Sequence, residues 1–359
     1  LADPRLILSF DPDPDIQGLL SPANLALQLE DINNLKHVLS FAMDPEAYEA
    51  LHNAVFATAN QYNLGGGAIL GGGRVYTANR FKHMYTMYKN NILEDLKGNF
   101  KDIPAILVAG GPSLDRNIHL LPALKNRAVI IAVDSTLPAL TKAGVSPDFM
   151  TAIDPLNLIY EKFADALPFM EDTRLIASTW VAPKAAKVFS PEQIFWTFSG
   201  RNMENWLQSL MGGSIPTGGA STVAHLNLVA AILMGCSPIV FVGQDLSYAA
   251  QSDHAANTAL TQNTHVKNLL ASPDVCWTES IHGGQVPASR QFVNHKRHFE
   301  DLIKNHPGVY INATAQGARI KGADPMDLQD VIDQYARKEQ SIHDFIDRSE
   351  EHTSELQSL

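Results

Sequence analysis

The residues best suited to holding an anionic ligand recur in one arrangement: a short apolar run, then glycines or an acid, then a helix start. In AILVAGGPSLDRN (105–117) the apolar run ends at Gly110 and Gly111. Pro112 fixes a turn, and Ser113 stands where it can cap a helix opening at Leu114. Such a joint offers bare backbone N–H groups and the positive end of a helix dipole, which suit a phosphate or carboxylate. The spacing is neither GxGxxG nor the Walker GxxxxGK(S/T), so the stretch alone names no ligand. A second glycine turn follows the same logic. Gly218 and Gly219 precede Ser221 and Thr222, hydroxyl caps for a helix with Val223, Leu226, Val229, Ala230 and Leu233 on its apolar face.

Other apolar runs end on chemistry-bearing residues. AVIIAV (128–133) ends at Asp134, Ser135 and Thr136. Phe149 to Ile153 ends at Asp154, Arg174 to Ser178 at Thr179, and Pro238 to Val242 at Gly243, Gln244 and Asp245. Late in the chain, Val309 to Asn312 leads to Thr314. Asn312 and Thr314 can read a sugar hydroxyl or a base edge, or close an Asx turn. His254 lies nine residues beyond Asp245 in a long polar stretch that fits a lid.

Helical patterns separate these runs, so the strands must be parallel, with crossovers between them. Parallel strands place all their carboxyl ends on one sheet edge, and ligands bind outside that edge. The sequence therefore predicts an α/β fold, a mostly parallel sheet flanked by helices, whose glycines and acids share one rim. A helical or α/β segment (1–75) precedes this central domain (76–325). A C-terminal helix (326–347) follows it, then a tail (348–359) without helical or strand period that reads as non-native.

Bulk properties exclude some classes. The net charge of −11 argues against a nucleic-acid binder, which would carry a basic face. Cys236 and Cys276 form no CxxC pair, and a reducing cytoplasm is the expected compartment. No apolar run reaches the roughly 18 residues of a membrane span. The Asp11, Asp13, Asp15 run reads as turn chemistry rather than a metal site, and no resident metal is expected.

Taken in order, GGPSLD, AVDSTLPALTKAGVSPDFMTAIDP, GGASTVAHLNLVAAILMGCSPIVFVGQDLSY, a loop histidine and INATAQGARIKG resemble the motility accessory factor (Maf) proteins of the MptE-like domain family, over residues 88–335. The resemblance implies a Rossmann-like domain similar to GT-A folds and sialyltransferases. It also implies a cytoplasmic bacterial glycosyltransferase moving pseudaminic or legionaminic acid from a CMP-activated donor to Ser or Thr of flagellin. Carried onto this chain, Gly110, Gly111 and Ser113 would hold the nucleotide phosphate. Asp134, with Ser135, and Asp154 would shape the nucleotide pocket. Gly218, Gly219, Ser221 and Thr222 would form a second cradle. Gln244 and Asp245 would contact donor or acceptor, and His254 would act as general base. His282 departs from an expected Asn-like residue. An archaeal branch of the family instead transfers diphosphate from ATP to 6-hydroxymethyl-dihydropterin. That reading needs Mg²⁺, with Asp134, Asp154 and Asp245 as the obvious ligands; the glycosyltransferase needs no obligatory cofactor. A non-catalytic flagellin-binding protein is the third reading.

Overall fold

A computed structural model gives the architecture. It describes residues 73–346 apart from 88–89, 162, 200–201, 212, 214–219, 249–254, 256 and 259–274, with a few positions between 44 and 49. The chain divides into two compact units, Leu1–Arg74 and Val75–Leu359. The sequence readings before residue 73 and after 346 lie almost wholly outside the described residues.

The second unit is built on a nine-stranded sheet. Its strands are β1 (Asn91–Ile92), β2 (Ala105–Val108), β3 (Val129–Val133), β4 (Phe149–Ala152), β5 (Arg174–Ser178), β6 (Ile194–Thr197), β7 (Ile239–Val242), β10 (Tyr310–Asn312) and β11 (Asp324–Pro325). They run in the order β1-β6-β5-β4-β3-β2-β7-β10-β11, and every pairing is parallel. The hairpin β8 (Val275–Glu279) and β9 (Gln285–Ser289) is antiparallel and separate. The central strands read as unbroken apolar runs because both faces are covered. Ile106, Val108, Ile130, Ala132, Val240 and Val242 pack into one core. Their neighbours Ala105, Leu107, Val129, Ile131, Ile239 and Phe241 pack into the other.

The helices are α1 (73–87), α2 (Leu114–Asn117), α3 (Leu137–Lys142), α4 (Leu158–Glu161), α5 (Pro183–Ala186), α6 (Asn202–Leu210), α7 (Val223–Met234), α8 (Arg290–Asn305) and α9 (Leu328–Tyr335). Leu114, Leu137, Leu140 and Val331 cover the first core. Leu226, Ala230, Phe299 and Ile303 from α7 and α8 cover the second.

Several elements differ from the sequence reading. The segment that opens the central domain is helical over 73–87, and Asn91–Ile92 forms the edge strand β1, which the sequence reading did not mark. The helix opening at Leu114 is α-helical only to Asn117 and continues as a 3-10 helix, Ile118–Leu124, with Pro122 inside. Proline supplies no N–H and crowds the preceding turn, which favours the tighter winding. The final helix stops at Tyr335, and residues 342–346 form a separate turn of helix.

The sheet has one topological switch. From β2 the chain steps through β3, β4, β5 and β6 on one side, then returns to place β7 on β2's other side. Connections leaving β2 and β7 therefore diverge, which opens a crevice at their carboxyl ends.

Candidate functional site

The tips of β2 and β7 are stitched together at that switch. The Ala109 N–H donates to the Val242 carbonyl at 2.9 Å, and the Gly111 N–H to the Gly243 carbonyl at 2.7 Å. Gly243 adopts φ +71°, and the Ala109 carbonyl oxygen and Leu114 Cβ occupy the space a Cβ would need there. A Cβ on Gly111 would fall 2.5 Å from the Gly243 carbonyl oxygen. Both glycines are thus required by close backbone approach as well as by turn chemistry.

Asp245 closes the stitch. Its carboxylate accepts from the Ser113 N–H at 2.8 Å and from the Ser113 hydroxyl. Both residues are buried. Burial pushes the Asp245 carboxyl up to about 6, against the lowering effect of the Ser113 bonds. Ser113 spends both its donors on Asp245, so the pair clips β7's tip to the start of α2.

The other rim residues gather beside this clip. The open side of Gly110 is bounded by Ser135, Thr136 and Thr258, whose atoms lie 3.6–3.7 Å from where a Cβ would stand. Ala255 donates its N–H to the Gly110 carbonyl at 2.9 Å, so the chain beyond β7 returns over β2's tip. Asp134 is buried at the end of β3 and accepts from the Ser135 N–H at 2.8 Å. The Gln244 N–H donates to the Thr314 hydroxyl at 3.3 Å, and the Thr314 N–H to Asn312 Oδ1 at 3.1 Å. Asn312 Nδ2 is buried without a hydrogen-bond partner among the described residues, a donor suited to a ligand oxygen or water. Gly110, Gly111, Ser113, Asp134, Ser135, Gln244, Asp245, Asn312 and Thr314 therefore form one neighbourhood.

Asp154 belongs to a different group. Its carboxylate accepts from the Leu156 N–H at 2.9 Å, and its carbonyl accepts from Ala182 N–H at 2.9 Å, tying β4's tip to the turn after β5. Beyond it lies a network missed in the sequence. Buried Glu204 accepts from Arg80 Nε at 2.8 Å, from the Ser199 N–H at 2.7 Å, and from the Thr179 and Ser199 hydroxyls. The Arg80 guanidinium lies over Trp180 at 4.9 Å. Three elements far apart in sequence meet here, and no local pattern announces it. Removing Arg80 leaves a buried carboxylate with only neutral donors. Arg80→Ala should therefore lower unfolding free energy by about 2 kcal/mol in urea denaturation.

Ser221 and Thr222 lie at the start of α7, where the Val223 carbonyl accepts from the Thr151 hydroxyl of β4 at 3.4 Å. Thr222 caps the helix by accepting from the His225 N–H at 3.2 Å. The Ser221 and Thr222 hydroxyls lie 3.0 and 2.9 Å from His225 Nδ1, and Ser221 lies 3.3 Å from His298 Nδ1. Histidines 225, 295 and 298 were also missed as a group. His295 and His298 share a helix face at i, i+3, a signal the sequence did carry. Gly218, Gly219 and His254 lie outside the described residues.

Fold and rim together define a Rossmann-like α/β protein with a polar cluster at a topological switch. Within that class, residues 78–251 match the family described as 6-hydroxymethylpterin diphosphokinase MptE-like. Over that span the chain carries an MptE-like domain, in agreement with the sequence motifs. The fold is similar to the solved structure of the MAf glycosyltransferase from Magnetospirillum magneticum AMB-1. The TM-score is 0.55 at 17% identity, over 76% of this chain and 42% of that one. An uncharacterised protein of Treponema pallidum (strain Nichols) is 32% identical over 65 residues, 18% of this chain and 31% of that protein. The chain thus spans less than half the length of either relative.

Proposed function

We propose that the chain is a glycosyltransferase of the motility accessory factor type. It moves a nonulosonic acid, pseudaminic or legionaminic, from its CMP-activated donor to a Ser or Thr hydroxyl of flagellin, in the cytoplasm. The observation that carries this reading is the switch point itself: glycine-turned tips of β2 and β7 with Ser135, Gln244, Asn312 and Thr314 around them. The N–H groups of Gly111 and Ser113 are spent on the stitch, so the tips offer the donor a position at the strands' carboxyl ends, and the Asn312 side-chain amide, without a partner among the described residues, suits a sugar or base oxygen. Among the described residues no helix is long and apolar enough to cross a membrane.

The chemistry is a single substitution. The acceptor oxygen bonds to the anomeric carbon, the bond to the CMP oxygen breaks, and CMP leaves with the electron pair. The acceptor's proton goes to a base, for which His254 is proposed. Ser113 and Asp245 hold the two tips in register, and Gln244 is the member of its pair that faces donor or acceptor. Asp134 and Asp154 shape the pocket from two adjacent strand tips, while Ser221 and Thr222, with Gly218 and Gly219, form the second cradle.

The family description supports a second reading, diphosphoryl transfer from ATP to 6-hydroxymethyl-dihydropterin. That reaction calls on Mg²⁺ to neutralise triphosphate charge. Asp245 is bound to Ser113 and Asp154 is tied to the β5 side. Among the described residues no group of three or more His, Cys, Asp or Glu is arranged to hold a metal, so Asp134, Asp154 and Asp245 do not make a ready ligand set.

One assay pair separates these. The full-length protein is given CMP-pseudaminic acid with flagellin and, separately, ATP with the pterin, each with and without EDTA. Sugar transfer that survives EDTA supports the first reading. Metal-dependent AMP release supports the second, and flagellin binding without either leaves a non-catalytic flagellin binder. In the first case His254→Ala should abolish transfer and leave CMP binding intact; unchanged turnover would remove His254 from its role.

A further inference from the structure

The three histidines between α7 and α8 perform no task in the proposed transfer, yet their packing is specific. His225 is fully buried in the first turn of α7. Its ring stacks on His298 at 4.3 Å between centroids, meets His295 edge-on at 5.7 Å, and lies on Phe299 at 4.2 Å. Its Nε2 is 2.9 Å from the His295 carbonyl, which only accepts, so Nε2 carries the proton. Nδ1 is then the acceptor for the Thr222 and Ser221 hydroxyls. The neutral ring is satisfied at both nitrogens.

A second proton on that ring has poor surroundings. The charge would sit at the positive end of a 12-residue helix. It would face two further imidazoles, and Nδ1 would turn from acceptor to donor beneath the capping hydroxyls. The charged or titratable groups acting on His225 are His298 and His295, and the one acting on His295 is His298. On α8, Lys296 and Glu300 pair with each other at 3.1 Å. Immediately before α7, the described Ser221 and Thr222 contribute hydroxyls. Burial holds His225 down to about 3 and His295 down to about 4, with His298 adding to both.

We propose that His225, His295 and His298 form a proton-operated latch between α7 and α8. While the rings are neutral the latch clamps the first turn of α7. When protons bind, it releases that turn together with Ser221 and Thr222. The device is independent of which transfer reaction the rim performs. It would make the second cradle, and not the β2–β7 clip, the acid-sensitive part of the rim.

The test uses the full-length chain, with amide hydrogen exchange of residues 223–226 and side-chain nitrogen NMR of the histidines from pH 7 to pH 4. Opening that takes up two protons should raise the opening constant by about sixtyfold between pH 6 and 5, after correction for intrinsic exchange. The last turn of α7 should stay protected. His295→Gln removes one proton and should reduce that dependence to about tenfold. His225→Phe, which can stack on Phe299, should do the same; if it fails to fold, the His295 variant and the wild-type histidine titrations decide. Exchange at 223–226 with the same pH profile in wild type and His295→Gln would overturn the latch. So would a wild-type His225 that titrates near 6.5.

Discussion

Gly243→Ala should leave little or no folded protein, whereas Gly144→Ala should lower stability by only about 1 kcal/mol. Both glycines sit at φ +71°, so both substitutions incur the same left-handed backbone cost. Around Gly144 nothing lies within 4 Å of an added Cβ. At Gly243 the added carbon would press into the Ala109 carbonyl and stand 3.1 Å from Leu114 Cβ. Neither obstacle is a flexible side-chain end. Relief requires β2 and β7 to part at their tips, which breaks the Ala109–Val242 and Gly111–Gly243 hydrogen bonds and exposes both cores. The expected loss is at least ~3 kcal/mol beyond the Gly144 control. Equal melting temperatures for the two variants would show that the stitch at the switch point carries no weight.

Asp245→Ala should cost about 3 kcal/mol, because it orphans the buried Ser113 N–H and hydroxyl together. Asp245→Asn should behave differently, since an amide imitates the protonated acid. The folded-state pKa of Asp245 is raised to about 6 from 3.8. Its contribution is therefore fully present below about pH 3.8 and lost as pH rises through 6. The Asn variant lacks that loss. It should be close to wild type near pH 4 and gain on it by about 1.4 kcal/mol per pH unit up to pH 6. His225 and His295 act in the opposite sense. Their folded values lie below 6.5, so their contribution is complete above 6.5 and declines as pH falls toward 4. Removing the Asp245 titration should thus leave a steeper loss of stability on acidification than wild type shows. Urea denaturation at pH 4, 5, 6 and 7 checks both variants. A pH-independent difference between Asn variant and wild type would contradict the burial account.

Much of the fold was legible because parallel strands covered on both faces are written as unbroken apolar runs. AILV, VIIAV, FMTA, RLIAS, IFWT and IVFV each stand between turn residues, and each is a strand. Asn91–Ile92 was not legible: two residues after a helical pattern carry no period, and only pairing with Phe195 and Trp196 makes them a strand. The rim was legible at the level of strand tips, since parallel order alone sends Gly110, Asp134, Asp154, Gln244 and Asn312 to one edge. Partnership along the rim was not. Ser113 and Asp245 are 132 positions apart, and each reads locally as a helix cap or strand-end acid. Neither the sequence spacing nor the charge pattern says that they bond to each other rather than to a ligand. The same holds for Arg80 and Glu204, and for Ser221 and His298.

The central claim is that an anionic nucleotide is received where β2 and β7 meet. It is tested most directly by titrating CMP into the nitrogen-15-labelled full-length protein and following backbone amides. The account predicts saturable shifts concentrated at 109–113, 134–136, 243–245 and 312–314, on one sheet edge. Saturable binding that instead perturbs the opposite edge, or only the β8–β9 hairpin, would contradict it.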